Sequence, residues 1–211
     1  MKRVDKDINK VFYENIARPL RTRKDFLLLL LETIKLFYVQ EIPIASQGKV
    51  SIVVDKMSRV FYQVENKIFS IVFPFGIENV DNQYRIYDIN MDIDIDSKLI
   101  SIMISILMQL ELTDISAEEI FDIYCDAVFN EIESKDIDVA WKILFRLLAT
   151  ELGYIRYDYD EEHKDSVYHP LNHFDINYSA NITYKIGLKK IIELENMISF
   201  LDIKSECKYL E

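Results

Sequence analysis

Lys49-Val-Ser-Ile-Val-Val-Asp-Lys-Met-Ser-Arg-Val-Phe-Tyr-Gln-Val-Glu-Asn-Lys-Ile-Phe-Ser-Ile-Val-Phe73 holds three short runs, Val50–Val54, Arg59–Val64 and Ile68–Phe73, rich in β-branched and aromatic residues. Polar breaks, Asp55-Lys-Met-Ser and Glu65-Asn-Lys, separate them. Such runs fit a pleated, half-buried surface, and breaks this short favour antiparallel neighbours. The pattern extends through Tyr84–Asp96, so residues 49–96 are expected to form an antiparallel β meander. Residues 88–96 alternate strictly: Asp88, Asn90, Asp92, Asp94 and Asp96 against Ile89, Met91, Ile93 and Ile95. That predicts one strand with an acidic face and a buried face.

On either side the period changes to that of helices. Residues 1–40 suggest a helix over about 5–17, stopping before Pro19, then another from an N-cap at Thr22 to about Val39. After the meander, residues 97–152 suggest three helices: Lys98–Leu110, a helix opened by the capping box Ser116-Ala-Glu-Glu119 and running to about Ile132, and Asp138–Leu152 ending at Gly153. Residues 154–211 return to alternation over Tyr154–Tyr159, His173–Tyr178 and Ile182–Ile186, with a turn at Ser179-Ala-Asn181 and a last helix near 188–200. The expected fold is α+β, one domain over residues 1–211, with N-terminal helices, a meander, central helices, and a C-terminal β hairpin and helix.

Composition narrows the function. Four glycines, at 48, 76, 153 and 187, are too scattered for a P-loop or a dinucleotide fingerprint, which need clustered glycines for close backbone approach to phosphate. Cys125 and Cys207 form no CxxC pair, which argues against a zinc ribbon or a dithiol redox centre. No apolar run approaches the roughly 20 residues of a membrane span, and the N-terminus lacks the apolar core of a signal peptide, so a cytoplasmic protein without membrane contact is expected. The net charge of −11 disfavours a protein that simply coats nucleic acid. Residues 1–24 nevertheless carry eight basic against three acidic side chains. Nucleic acid is therefore conceivable only at that basic segment or at a local pocket, and a solvated helix pairing with the acidic body is the plainer account. The acidic surface makes a basic protein partner the main expectation.

All three histidines, His163, His169 and His173, lie between Tyr154 and Asp175. Alternation would place Arg156 and Asp158 on one strand face, and His173 and Asp175 on the matching face of a neighbouring strand. His169, held extended by Pro170, and His163 would close over them. The candidate catalytic residues are therefore Arg156, Asp158, His169, His173 and Asp175. Three chemistries suit them. Imidazole with carboxylate could hold a divalent metal, although the spacing matches no standard ligand signature. Two histidines could transfer protons at a phosphodiester held by Arg156. A His–Asp pair could also simply satisfy buried hydrogen bonds.

The run Ile155-Arg-Tyr-Asp-Tyr-Asp followed by His169-Pro-Leu-Asn-His173 resembles a segment of an uncharacterised bacterial family, a domain of unknown function. A shorter Arg-Tyr-Asp motif is similar to one in small toxins of toxin–antitoxin pairs, although the toxins' His-x-His is missing here. The resemblance implies a prokaryotic cytosolic protein from a toxin or phage-defence operon and transfers no reaction. Two functions follow as expectations: a hydrolase acting on nucleic acid through the histidine cluster, or a non-catalytic acidic module such as an antitoxin, immunity protein or complex subunit. The aspartate ladder at 88–96 could bind a divalent cation or mimic nucleic acid, but a solvent-facing strand guarded by charge explains it more simply.

Overall fold

The computed structural model describes residues 2–39, 46–81, 83–109, 121–122, 125–126, 134–179 and 182–207. The fold is α+β, and every strand pairing is antiparallel. The chain groups into two compact units, one formed by residues 1–18, 42–73 and 151–211, the other by 19–41 and 74–150.

The first unit is built on a seven-stranded sheet. Its strands are β1 (Lys2–Asp7), β2 (Lys49–Val54), β3 (Ser58–Val64), β4 (Lys67–Val72), β8 (Ile155–Tyr159), β9 (Asn172–Ser179) and β10 (Ile182–Gly187), in that spatial order. The meander expected at 49–73 is there as β2, β3 and β4. Residues 2–7 are a strand and not the start of a helix. Lys2, Val4 and Lys6 alternate with Arg3, Asp5 and Asp7 across β2 partners Val54 to Lys49, so pairing with an existing strand overrides local helix propensity. The helix that follows, α1 (Lys10–Ala17), begins where Asn9 Oδ1 accepts the Phe12 N–H at 2.9 Å.

Each face of this sheet has its own cover. Val53, Phe61, Ile68, Ile155, Tyr157 and Phe174 form a buried cluster with Leu194, Met197 and Ile198 of the terminal helix, α5 (Leu194–Leu201). Burying side chains of this size contributes on the order of 1.5–3 kcal/mol each. The opposite face is apolar at β3 and β4, where Tyr62 stacks between Phe12 and Phe69. Farther along the same face, on β8, β9 and β10, the side chains become ionic.

The second unit contains α2 (Arg23–Tyr38), a three-stranded sheet of β5 (Gly76–Val80), β6 (Gln83–Asp88) and β7 (Ile93–Asp94), and the helices α3 (Ser97–Gln109) and α4 (Ser134–Ala149). Thr22 caps α2 in a full capping box: Thr22 Oγ1 accepts the Asp25 N–H and Asp25 Oδ2 accepts the Thr22 N–H. Helix α4 stops at Ala149, short of Gly153, which instead takes a positive φ of 53° in the segment before β8. The helix expected from Ser116 lies largely outside the described residues, as does the turn at 180–181.

The aspartate ladder is not one strand. Residues 89–92 are a turn between β6 and β7, and Asp92 has a φ of 50°. Asp88 is wholly buried, not solvent-facing. Its Oδ1 accepts the N–H groups of Asn90 and Met91 and its Oδ2 lies 2.6 Å from Arg146 Nη1. Arg85 draws in Asp92 and Asp94 at 3.0 and 2.6 Å. Side-chain hydrogen bonds to the backbone favoured a turn over the extended alternative that the alternation suggested. Among the described residues, no helix is long and apolar enough to cross a membrane.

Candidate functional site

Strands β8 and β9 pair with Arg156 opposite Asp175 and Asp158 opposite His173. The two-residue period then puts all four side chains on one sheet face, while Ile155, Tyr157 and Phe174 enter the apolar cluster on the other. Arg156 bridges the strands. Its Nε donates to Asp158 Oδ2 at 2.6 Å and its Nη2 donates to Asp175 Oδ2 at 2.5 Å. Burial acts to lower the Arg156 pKa, but Tyr154, Asp158 and Asp175 more than offset this, and the net shift is upward. The guanidinium is thus a permanent cation whose Nε and Nη2 are committed to the carboxylates.

His173 is the deepest member, with a side chain that is 0% exposed. Its Nδ1 lies 2.7 Å from the Pro170 carbonyl oxygen. A carbonyl only accepts, so the partners assign the proton to Nδ1 and leave a lone pair on Nε2. That lone pair faces Lys185 Nζ at 3.0 Å, Asp158 Oδ2 at 3.7 Å and Asp175 Oδ1 at 3.9 Å. Lys185 Nζ also donates to Asp175 Oδ1 at 2.7 Å. Asp158 and Asp175 are only 14% and 10% exposed.

The loop between β8 and β9 closes over this face. Gly187 on β10, directly opposite His173, leaves room for Pro170: a Cβ there would come within 2.9 Å of Pro170 Cγ. The His169 ring meets the His173 ring edge-on, with centroids 4.6 Å apart. His169 Nε2 is 3.2 Å from Asp160 Oδ2, in ion-pair range but without hydrogen-bond alignment. The backbone N–H of His163 holds the Asp160 pKa below the usual carboxylate range, helped by the neighbouring imidazoles. His163 itself is 71% exposed, and its ring lies 6.4 Å from that of His169. It caps the loop and stands apart from the buried group.

The structure therefore gathers Arg156, Asp158, His173 and Asp175, sets His169 over them, and leaves His163 outside. No family model, curated protein sequence or solved structure matches this chain. Sequence reasoning missed Lys185 and left Asp160, a charged neighbour of the histidines, out of the candidate set. The signal for Lys185 was present: in β10 it alternates with Tyr184 and Ile186, which places it on the polar face. Asp160 lies just beyond β8, where alternation no longer reports direction.

Chemically, Asp158, His173 and Asp175 offer a divalent cation one nitrogen and two carboxylate ligands whose donor atoms lie within 4.8 Å of one another. Ligands about 2.1 Å from a tetrahedral metal lie about 3.4 Å apart, so the group must contract by up to about 1.4 Å to hold one. A His whose second nitrogen donates to a backbone carbonyl has the usual outer support of a metal ligand.

Proposed function

We propose that this chain is a divalent-metal-dependent hydrolase acting on nucleic acid, of the kind carried by a toxin or phage-defence operon. Asp158, His173 and Asp175 are the ligands in this reading. The observation that supports it is the position of His173, whose Nδ1 is held by the Pro170 carbonyl while its Nε2, in contact with Lys185 Nζ, lies within 4 Å of two nearly buried carboxylates. Arg156 acts as the positioning residue that holds both carboxylates in register, instead of the phosphate holder expected from sequence. A divalent cation there would supply Lewis-acid polarisation of a phosphoryl oxygen or of water. His169, on the loop above and 29% exposed, would carry a proton to or from the site in this reading. In the reaction water forms one new P–O bond, one ester P–O bond breaks, and one proton is released.

Cleavage of end-labelled RNA and DNA by the full chain, with Mn²⁺, Mg²⁺ or Zn²⁺ and with chelator, tests the reading. Cleavage should require metal and fall at least about 100-fold in the ligand variants Asp175→Asn and His173→Gln, while circular dichroism stays native. Metal-independent cleavage, or variants as active as the parent, would overturn it.

A second reading has its own support. The β8–β9 loop exposes Glu161, Glu162 and Asp165 beside Val167 and Tyr168, and the whole chain carries −11. That combination fits a cytoplasmic acidic module of the antitoxin or immunity type, docking on a basic protein. It takes precedence if no cleavage appears with any of the three metals.

A further inference from the structure

We infer that Lys185 is an exchangeable internal cation: its ammonium group bonds two of the three ligand atoms, on His173 and Asp175, and must give up His173 Nε2 for a divalent ion to be held by Asp158, His173 and Asp175. The inference rests on the metal reading above and adds to it how the site is guarded.

Nζ of Lys185 touches two of the three ligand atoms, Asp175 Oδ1 at 2.7 Å and His173 Nε2 at 3.0 Å. Nε2 of His173 has a single lone pair, which cannot bond a metal and accept from an ammonium at once. The charges also demand a cation. Arg156 and two aspartates leave the face at −1, and Lys185 brings it to zero. An uncompensated carboxylate this buried is costly, so a resident cation stabilises the empty site.

The two cations differ in how they are held. Arg156 is engaged on both sides, by Asp158 and by Asp175. Lys185 has one carboxylate and one imidazole, lies on β10 at the end of the strand order, and is 34% exposed. Its flexible stem can swing the ammonium into water, while Arg156 keeps the carboxylates aligned. One divalent ion enters, one ammonium turns outward, and the face goes from zero to +1.

Calorimetric titration of the full-length protein with Mn²⁺ alone tests this. The parent should bind one Mn²⁺. Lys185→Met should bind Mn²⁺ at least about tenfold tighter, and Lys185→Arg, with its broader fork, at least about tenfold weaker. Lys189→Met, which removes an exposed lysine outside the cluster, should change affinity less than about threefold. Lys185→Gln guards against misfolding of the methionine variant and should also bind more tightly than the parent. If the parent binds Mn²⁺ but neither Lys185→Met nor Lys185→Gln tightens it, the exchange is wrong and the metal reading stands. If neither the parent nor any variant binds Mn²⁺, the metal reading itself fails.

Discussion

Arg156→Met is the sharpest test of how the ionic face is held together. Methionine keeps much of the aliphatic volume, so what is lost is the charge and the two short hydrogen bonds to Asp158 and Asp175. Removing one partner of a buried ion pair costs about 3–5 kcal/mol. Arg156 is 30% exposed, so water screens part of this, and about 2–3 kcal/mol is expected. Amide hydrogen exchange on β9 reads the effect locally, without assuming that the whole chain unfolds in one step. Since about 1.4 kcal/mol is tenfold, exchange of the β9 amides should accelerate roughly 30- to 150-fold. Asp175→Asn alone should cost less, because Arg156 keeps Asp158. The double variant should cost less than the sum of the two, with a coupling of about 1–2 kcal/mol. Acceleration below about threefold in Arg156→Met, or strict additivity, would show that the guanidinium does not organise these carboxylates.

Two further outcomes are expected. Burial pushes the Tyr38 hydroxyl up to about 12, and it donates to the Ile95 carbonyl at 2.6 Å. An acid whose folded pKa exceeds its unfolded value of about 10 stabilises fully below that pH and loses the contribution as pH rises toward 12. Stability should therefore decline over pH 10–12 more steeply in the parent than in Tyr38→Phe, as read by urea unfolding at each pH; equal slopes would contradict the burial. Gly48→Ala should lose at least about 2 kcal/mol in the same assay, because a Cβ there, at a φ of 155°, would lie 2.3 Å from the Gln63 carbonyl oxygen; an unchanged midpoint would mean that the β2–β3 edge shifts freely.

Much of the fold was legible because local rules carried it. Thr22 reads as an N-cap and is one, and the runs in 49–73 read as three paired strands and are. Three segments misled. The alternation of residues 88–96 satisfies a strand template, yet Asp88 spends its carboxylate on the following backbone and on Arg146, which periodicity cannot see. Residues 5–7 look helical in isolation, and their strand exists only because β2 presents an open edge to it. The three-stranded sheet was likewise read as a continuation of the meander, since nothing local marks where one sheet stops and another begins.

The candidate site divides along the same line. Alternation alone puts Arg156 and Asp158 on one side of a strand and His173 and Asp175 on one side of another, because the backbone pleat has a period of two. Whether those two sides meet depends on register, and register is set by the whole sheet: a shift of one residue would have turned His173 into the apolar cluster. The tautomer of His173 depends on where the Pro170 carbonyl comes to rest, a matter of loop closure against Gly187. The ammonium of Lys185, ten residues beyond Asp175 in the chain, reaches His173 and Asp175 only through the β9–β10 pairing. Residue types and facing are local properties of a chain. Distances between ionic groups are properties of the packed sheet, and those distances turn a run of histidines and aspartates into a candidate cation site.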